Sequence, residues 1–314
     1  MNTQHRMEKR RILITGSNGL LGQKLVDLLT RQPDTDLIAT ARGTNRLPYT
    51  DGYTYRAMDI TNRQQVLEVI AETRPQVIIH TAAMTNVDQC ESEKDNCWAQ
   101  NVQAVEYLIE ACRASDIFLV HVSTDFIFDG AAGPYDEEAE ANPISFYGWS
   151  KYAAEKVVIH SDIRWAIART VLVYGIAHDM SRSNIILWVK KSLEDGKAIK
   201  VVTDQWRSPT LAEDLAMGCW LIADKEAKGI FNISGKDFLT PYEMAIMTAD
   251  YFGLDKSLIA QADASTFTQP ARRPPRTGFV LDKAVSVLGY APHSFEEGIA
   301  VLAGQLKPVR TNER

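Results

Sequence analysis

The first 170 residues of the chain alternate short apolar runs with segments in which apolar residues recur at helical spacing. Apolar runs bounded by turn residues are typical of strands that are buried on both faces. We expect such strands at 12–14, 36–41, 53–58, 77–80, 117–122 and 165–170. Because strands that alternate with helices form βαβ units, the pattern predicts an α/β fold with a doubly wound parallel sheet.

Helical spacing is clear in several of the intervening segments. Leucines recur at this spacing after residue 20, and apolar residues do so from 98 to 113. A helix through Val66 and Ile70 is expected to be capped by residues 59–61. A further helix is expected after Ser145. These helices supply the crossovers that parallel strands require.

The alternation changes beyond residue 170. The elements predicted there are helices over 184–193 and 241–252, strands at 200–202 and 229–233, and an Arg- and Pro-rich loop at 271–275. We expect a first domain over 11–172, to which a strand near 229–234 returns. A smaller C-terminal domain, mainly substrate-binding, is expected over 173–306. Residues 1–10 and 307–314 are expected to be flexible tails.

Composition narrows the class of protein. With 45% hydrophobic and 24% charged residues, the chain is typical of a soluble globular protein. Its net charge is −6, whereas nucleic-acid binders typically carry a strong excess of positive charge. The apolar runs are shorter than the roughly 18 residues that a membrane span needs, and the polar N terminus does not resemble a signal peptide. We therefore expect a cytoplasmic protein that binds neither nucleic acid nor a membrane.

The cysteine and histidine positions indicate neither disulfides nor a metal site. The cysteines are Cys90, Cys97, Cys112 and Cys219. They form no Cys-x-x-Cys pair, so reduced thiols are expected. No histidine has ligand spacing with a second His or Cys, and His80 and His121 lie in apolar strand runs. We interpret these two histidines as core residues with satisfied hydrogen bonds, and we predict no metal.

A glycine-rich loop joins the first predicted strand to the first predicted helix. Its residues are Gly16, Ser17, Asn18, Gly19, Leu20, Leu21 and Gly22. Glycines permit a sharp turn and let a pyrophosphate approach the N–H groups at the helix N terminus. Glycine-rich stretches also form plain turns, but the position between a strand and a helix predicts a dinucleotide site in a Rossmann-type domain.

The residues after the second and third strands bear on the choice between NAD and NADP. An acidic residue about 20 positions after the glycines would bind the ribose 2′-hydroxyl of NAD. The second strand ends instead in Thr40, Ala41 and Arg42. Arg42 suits a 2′-phosphate, so NADP(H) is favoured and NAD(H) is the alternative; a solvated loop charge is the other interpretation of Arg42. Asp59 and Ile60, after the third strand, are expected to contact the cofactor, with Asp59 at the adenine.

Tyr147 and Lys151 stand four residues apart, which places them on one face of a predicted helix. A nearby ammonium stabilises a phenolate, so we expect Lys151 to lower the pKa of Tyr147 from about 10. Thr124 and Asp125 end the fifth strand, at the edge where α/β sheets bind ligands. Thr124 is expected to hydrogen-bond a substrate carbonyl and Asp125 a sugar hydroxyl. Alternatively, Ser123 and Thr124 only end the strand.

Together these motifs resemble those of the extended short-chain dehydrogenases/reductases. Finer features resemble the dTDP-4-dehydrorhamnose reductase branch; they lie in the segments 80–88, 123–130, 204–210 and 273–282. The resemblance covers residues 11–302. The chain also resembles the regulatory β subunit of methionine adenosyltransferase, which shares this fold and binds NADP.

The resemblance implies roles for individual residues. Thr124, Tyr147 and Lys151 would be catalytic, and the latter two would also touch the cofactor. Further cofactor contacts would be Ala82, Ala83, Thr85 and Asn101, the last of which would lie behind the lysine. The implied reaction transfers a hydride from NAD(P)H to the C4 ketone of a nucleotide-linked 4-keto-6-deoxyhexose, while the tyrosine supplies a proton.

Two departures from this branch lie where the substrate is expected. Arg207 stands where these reductases commonly have glycine, and Asn86 stands where a small residue is usual. With Asp125, Trp206 and Arg273 they form the predicted substrate site. Arg207, Arg272 and Arg273 suit the diphosphate of a nucleotide-sugar, because a planar guanidinium binds phosphate with two hydrogen bonds. Exposed loop charges are the alternative for all three arginines.

Four functions remain open on the sequence alone. The first is reduction of a nucleotide-linked keto-sugar, and the second is another nucleotide-sugar epimerase or reductase. Sugar 4,6-dehydratases typically carry a glutamate where Phe126 stands, which argues against dehydration. The third is a non-catalytic, NADP-binding regulatory subunit, and the fourth is an NADPH sensor, against which the Thr-Tyr-Lys trio argues. The helices at 98–113 and 150–160 are candidate homodimer contacts.

Overall fold

A seven-stranded parallel sheet organises the described part of the chain, residues 9–178 and 184–306 of a computed structural model. In chain order the strands are β1 (Arg10–Thr15), β2 (Thr35–Ala41), β3 (Thr54–Ala57), β4 (Val77–His80), β5 (Phe118–Thr124), β6 (Trp165–Thr170), β7 (Val173–Tyr174), β8 (Ile199–Val202), β9 (Trp206–Arg207), β10 (Thr210–Leu211), β11 (Gly229–Asn232), β12 (Ile259–Ala262) and β13 (Arg276–Thr277). The order across the main sheet is β11-β6-β5-β4-β1-β2-β3. The predicted doubly wound α/β fold is confirmed.

Helices cover both faces of this sheet. They are α1 (Leu20–Leu29), α2 (Arg63–Thr73), α3 (Val87–Ser92), α4 (Lys94–Trp98), α5 (Ala104–Ser115), α6 (Phe146–Ile159), α7 (Ile185–Glu194), α8 (Ala212–Lys225), α9 (Pro241–Phe252) and α10 (Phe295–Leu306). Side chains alternate along β1, so Ile12 and Ile14 pack with α1 and α8, whereas Leu13 packs with α2, α5 and α6. The central strands are therefore apolar over most of their length, with polar residues toward their carboxyl ends.

The strand order reverses between β1 and β4. The chain builds β2 and β3 on one side of β1, then returns to build β4, β5 and β6 on the other side. Doubly wound sheets bind ligands outside the carboxyl ends of their strands at such a point. Thr15 and His80 end the two strands there and are paired in register. This edge is therefore the expected position of a ligand.

Several predicted bounds agree with the structure, and one predicted helix cap does not. β4, β6 and α9 have the predicted bounds. The cap of α2 is Asn62 rather than Asp59, because the Asn62 side chain accepts the Gln65 N–H at 3.2 Å. The Asp59 carboxylate instead accepts hydrogen bonds from the N–H and the hydroxyl of Thr61.

The predicted helix over 98–113 contains a wide turn. α4 ends at Trp98, Ala99–Gln103 form a π-helical turn, and α5 continues from Ala104. Such turns are frequent at functional sites, and this one carries the buried Asn101. The apolar spacing in this segment does not predict the π-helical turn.

The C-terminal part of the described chain joins the main sheet and also forms small sheets of its own. β11 pairs with β6, while β8 pairs with β12, β9 with β13 and β10 with β7. The division into two domains stays a prediction. Arg10, assigned to a tail, is instead the first residue of β1 and pairs with Glu226 at 2.6 Å. The rest of the predicted tails, apart from residue 9, lies outside the described residues.

None of the helices within residues 9–178 and 184–306 is both long enough and apolar enough to cross a bilayer.

Candidate active site

The glycine-rich loop leads from β1 into α1 and packs against the segment that follows β4. Gly16 has a φ of +73°, and a Cβ on it would lie 2.8 Å from the backbone nitrogen of Ala82. A Cβ on Gly22 would lie 2.2 Å from the carbonyl oxygen of Gly16. Both positions require glycine, because backbone atoms approach too closely to leave room for a side chain. The loop therefore lies at the reversal point of the sheet, with Leu20–Leu21 opening α1 after Gly19.

This loop presents groups that suit an anion. No side chain among the described residues caps the N terminus of α1, so its first N–H groups and the positive end of the helix dipole are available to a ligand. The hydroxyl of Ser17 is buried and has no hydrogen-bond partner in the described part of the chain. A pyrophosphate would satisfy both, and the residues present therefore fit a dinucleotide.

Asn18 connects the loop to the segment that follows β2. Its Nδ2 donates to the carbonyl oxygen of Thr44 at 2.8 Å, and its Oδ1 accepts the N–H of Arg46 at 2.9 Å. Arg42, the predicted 2′-phosphate residue, is exposed in this same segment. Arg46 is exposed as well and is a second guanidinium beside the loop, which the sequence analysis missed.

The other predicted cofactor contacts lie after β3 and β4. Ala82 packs against Gly16, Ala83 is half-buried and Thr85 is exposed. The carboxylate of Asp59 already accepts hydrogen bonds from Thr61, within the turn that contains both residues. Ile60 is 8% exposed and packs in the core with side chains of α2 and α5, so its side chain has a structural role.

Thr124 and Tyr147 meet where β5 ends and α6 begins. Ser145 caps α6, since its Oγ accepts the N–H of Gly148 at 3.2 Å. A Cβ on Gly148 would lie 2.2 Å from the carbonyl oxygen of Phe126, so the helix approaches the end of β5 closely. The side chains of Tyr147 and Thr124 are both buried there, and the Thr124 hydroxyl is near enough to act on the Tyr147 phenol. This arrangement suits proton transfer to a substrate oxygen placed beside both hydroxyls.

Burial controls the pKa of Tyr147. Removal of the phenol from water raises this pKa above its usual value, the hydroxyl of Thr124 acts to lower it, and the charge of Asp125 raises it further. The predicted net lowering of the Tyr147 pKa is wrong, because burial outweighs the groups that act to lower it. Tyr147 is therefore protonated at neutral pH, as a proton donor must be.

Lys151 is buried one turn further along α6 and reaches back to β5. Its Nζ donates to the carbonyl oxygen of Val122 at 2.7 Å and lies 3.3 Å from Nε2 of His121. Burial lowers the pKa of Lys151 to about 8, while the charges of Glu155 and Cys97 act to raise it. Lys151 therefore loses its proton more readily than an exposed lysine does.

Asn101 braces the site without touching Lys151 directly. Its Oδ1 accepts the N–H of Met84 at 2.8 Å, and its Nδ2 donates to Oγ of Ser150 at 2.9 Å. Ser150 precedes Lys151 in α6. The π-helical turn thus holds the segment after β4 against the helix that carries the catalytic candidates.

Asp125 is buried beside Thr124 and is contacted by the C-terminal part of the chain. Its carboxylate accepts hydrogen bonds from the hydroxyl of Thr124 at 3.0 Å and from that of Thr277 in β13. Burial raises the pKa of Asp125, and the charge of Arg207 and the two hydroxyl contacts act against this rise. The predicted site residue is therefore joined to a strand that the sequence analysis did not connect with it.

The guanidinium of Arg207 forms its hydrogen bonds within the protein. Its guanidinium, in a residue that is 6% exposed, donates to the carbonyl oxygens of Trp206 at 2.7 Å and Pro275 at 3.2 Å, and to Oε1 of Gln205 at 3.3 Å. Burial lowers the pKa of Arg207, and the charge of Asp125 raises it. The burial of Arg207 contradicts the exposed loop charge, while its phosphate-binding role stays a prediction.

The remaining predicted substrate residues are Asn86, Trp206 and Arg273. Arg273 pairs with Asp88 of α3 at 2.8 Å and, by this hydrogen bond, lowers the pKa of that carboxyl. Asn86 caps α3 with its side chain. Trp206 lies under the guanidinium of Arg276, 4.8 Å from the ring centre. The Asp88–Arg273 ion pair joins the Pro-rich loop to α3, so the guanidinium of Arg273 already has a partner within the protein.

Comparison with protein families matches residues 10–307 to the RmlD substrate-binding domain. The chain belongs to the RmlD substrate-binding domain family. A dTDP-4-dehydrorhamnose reductase from Aggregatibacter actinomycetemcomitans is 30% identical over 304 residues, which cover 92% of this chain and 97% of the relative. Methionine adenosyltransferase 2 subunit beta from Xenopus tropicalis is 32% identical over 254 residues, 79% of this chain and 74% of the relative.

A solved structure agrees with this placement in the RmlD family. The dTDP-4-dehydrorhamnose reductase from Bacillus anthracis, in complex with NADP, has a TM-score of 0.83 at 29% identity. The match covers 95% of this chain and 100% of the other. The predicted resemblance, including its reductase branch, is confirmed.

Sequence reasoning missed three residues of the site in this RmlD-family chain. Arg46 lies four residues beyond the one arginine that was considered. Thr277 contacts a carboxylate that is 152 residues away in sequence. His121 resembles a core residue because it lies in an apolar run, yet it contacts Lys151. Within residues 9–178 and 184–306, no three His, Cys, Asp or Glu side chains are grouped so as to hold a metal ion.

Proposed function

We propose that the protein is a cytoplasmic reductase that uses NADPH, in preference to NADH, to reduce the C4 ketone of a nucleotide-linked 4-keto-6-deoxyhexose. The observation that carries this proposal is the pair of buried hydroxyl groups of Thr124 and Tyr147, at the same sheet edge as a loop that fits a dinucleotide. Relatives named dTDP-4-dehydrorhamnose reductase, which match nearly the whole chain, support the same reaction.

Cofactor binding rests on three groups of the first domain, residues 11–172. The N terminus of α1 and the unpartnered Ser17 hydroxyl bind the pyrophosphate. Arg42 and Arg46 bind the 2′-phosphate by guanidinium hydrogen bonds. Bound there, NADPH supplies the hydride that the side chains of a protein cannot supply.

The catalytic residues act on the oxygen of the substrate. Tyr147 donates its hydroxyl proton to the C4 oxygen as negative charge develops there, and Thr124 donates to the same oxygen once its hydroxyl turns from Asp125. The ammonium of Lys151 stabilises the tyrosinate that remains. Because burial disfavours the tyrosinate, the ammonium of Lys151 favours transfer of the proton from Tyr147 to the substrate oxygen.

Substrate orientation involves the second domain, residues 173–306. Asp125 orients a sugar hydroxyl with the carboxylate lone pairs that Thr124 and Thr277 leave free. Thr277 supplies the link to the C-terminal part. We expect Asn86, Trp206 and Arg273 to contact the rest of the substrate, and Arg273 reaches a phosphate only when its ion pair with Asp88 opens.

NADPH oxidation with dTDP-4-keto-6-deoxy-mannose, generated in situ, tests the proposed reaction. We expect the nicotinamide absorbance to fall only when protein, NADPH and the keto-sugar are all present. The control replaces the keto-sugar with dTDP-glucose, which has no ketone to reduce. Tight NADPH binding without oxidation, across several nucleotide-linked keto-sugars, would overturn the proposal.

A second candidate is an NADP-binding regulatory subunit. It is favoured by the 32% identity to methionine adenosyltransferase 2 subunit beta, over 79% of this chain. The Thr-Tyr-Lys trio does not separate the two functions. Turnover of bound NADPH does, because a regulatory subunit binds the cofactor without oxidising it.

Arg42→Ala is expected to weaken NADPH binding by about 10- to 100-fold and to leave NADH binding nearly unchanged. A charged hydrogen bond to the 2′-phosphate contributes about 1.5–3 kcal/mol, and NADH lacks that phosphate. Calorimetric titration with both cofactors measures the effect. Arg31→Ala, an exposed arginine at the far end of α1, is the control. If Arg46→Ala alone changes the cofactor preference, the role belongs to Arg46.

We also propose that the protein forms a homodimer. Two large aromatic side chains are unusually exposed near the predicted contact helices: Trp98 at 40% and Trp149 at 54%. Exposed apolar surface of this kind is often covered by a partner. Light scattering is expected to give twice the chain mass of 35.1 kDa. A mass of one chain at micromolar concentration would contradict the dimer.

A further inference from the structure

A row of buried polar side chains crosses the sheet beneath the proposed site. Thr15 pairs in register with His80 across β1 and β4, and His80 pairs in register with His121 across β4 and β5. Paired residues of parallel strands point to the same face of the sheet. Lys151 of α6 completes the row, and none of these four residues is more than 3% exposed.

Hydrogen bonds fix the protonation state of His80. The Oγ1 of Thr15 accepts the N–H groups of Thr81 at 3.2 Å and Ala82 at 3.3 Å. Its own hydrogen is therefore donated to Nδ1 of His80, 2.7 Å away. His80 is neutral with its proton on Nε2, and burial together with the charge of Lys151 lowers the pKa of His80 to about 3.

His121 is held differently from His80. The two rings stack with centres 5.4 Å apart, but Nε2 of His121 lies 3.3 Å from Nζ of Lys151. An ammonium group only donates hydrogen bonds, so Nε2 accepts and the ring carries its proton on Nδ1. Burial and the charge of Lys151 keep the pKa of His121 well below its usual value.

The Nδ1 of His121 has no partner among the described residues, although it is fully buried. An unpartnered buried donor costs free energy, and an apolar residue on β5 would avoid that cost. The expectation of a satisfied core histidine is therefore wrong for His121. What the position gains from histidine is the acceptor that faces Lys151.

We propose that His121 is a positioning residue for Lys151, whose ammonium it keeps charged and directed toward Tyr147. This inference rests on the proposed function, in which Lys151 stabilises the tyrosinate. The ammonium has three N–H donors. Val122 accepts one of them at 2.7 Å and His121 accepts a second. One donor is left for the site, and rotation of the ammonium is restricted by two contacts on β5.

The proposal concerns a charge, so every titratable neighbour of Lys151 matters. These neighbours are His121 on β5, His80 on β4, Cys97 on α4, and Tyr147 and Glu155 on α6 itself. Glu155 is already paired with Arg169 at 2.8 Å. Of these groups, only His121 is a hydrogen-bond acceptor for Nζ in the structure.

Three variants test the role of His121. His121→Phe keeps a ring of similar size and removes the acceptor, whereas His121→Gln restores an acceptor near the position of Nε2. His80→Phe is the matched control, because His80 belongs to the same stack and bonds Thr15 instead of Lys151. His121→Phe and His80→Phe each lose a buried polar contact, so a purely structural role predicts similar losses of thermal stability in these two variants.

The first readout is the pKa of Lys151, measured by NMR in full-length protein with labelled lysine and assigned with Lys151→Met. We expect His121→Phe to lower this pKa by about one unit, because hydrogen bonding to the charged form favours that form. His121→Gln is expected to restore the wild-type value, and His80→Phe to leave it unchanged. An unchanged value in His121→Phe, or an equal fall in His80→Phe, would overturn the proposal.

The second readout is the pH profile of kcat. Activity is expected to fall as pH rises through the pKa of Lys151, and His121→Phe moves this fall about one unit toward lower pH. The NMR titration needs no substrate, so it tests the role of His121 independently of the proposed reductase function. A shifted pKa without reduction of any keto-sugar contradicts the proposed function and leaves the pairing of His121 with Lys151 supported.

Discussion

Replacing Tyr147 with phenylalanine is expected to lower kcat by roughly 10²–10⁴-fold, the range in which a positioned acid contributes to catalysis, while NADPH binding is retained. The change removes only the hydroxyl of Tyr147, near that of Thr124. The ring keeps its edge-on contact with Phe126, at 5.6 Å between centres, so the site retains its shape. Steady-state turnover and a fluorescence titration of NADPH measure the two quantities.

The control for this variant is Tyr152→Phe, which removes a hydroxyl from the same helix. Tyr152 is half-buried, and its ring lies 6.5 Å from that of Trp149. We expect its turnover to equal that of the wild type. Full activity in Tyr147→Phe would show that another group donates the proton, whereas loss of NADPH binding would show that the tyrosine mainly holds the cofactor.

The fold was predictable because its signals are local. A strand buried on both faces must be apolar along its whole length, and the runs at 77–80 and 165–170 therefore coincide with β4 and β6. The glycine-rich loop was predictable for the same reason, since the close approach of Gly22 to Gly16 occurs within a few residues. The π-helical turn at 99–103 was not, because it changes hydrogen bonding without changing the apolar spacing.

Contacts between distant segments explain the errors in the site. The sequence also allows an exposed loop charge for Arg207, but carbonyl oxygens at 206 and 275 and the carboxylate of Asp125 decide where its guanidinium points. The pKa of Tyr147 was assigned the wrong direction because four-residue spacing shows that Lys151 is near, and burial becomes visible only in the folded chain. His121 became a candidate only through the strand register and Lys151.

Gly22→Ala is expected to weaken NADPH binding by about 100-fold or more, because an overlap of backbone atoms costs at least the upper end of the roughly 1–3 kcal/mol range of overpacking. The added Cβ would lie 2.2 Å from the carbonyl oxygen of Gly16 and 2.6 Å from Cα of Ser17. Both are backbone atoms, so no side-chain rotation relieves the contact. The loop has to move away from α1, which separates the Ser17 hydroxyl from the helix N terminus. Calorimetric titration with NADPH measures the loss.

Gly304→Ala separates this local effect from a general effect of alanine in a helix. Gly304 lies in α10, and a Cβ there would have no neighbour within 4 Å. Alanine is expected to stabilise that helix by roughly 0.5–1 kcal/mol without any change in cofactor affinity. If Gly22→Ala binds NADPH like the wild type, the pyrophosphate does not lie on this loop. If the Gly22→Ala protein unfolds at a temperature well below that of the Gly304→Ala protein, the close approach of Gly22 to Gly16 stabilises the β1–α1 unit and also supports cofactor binding.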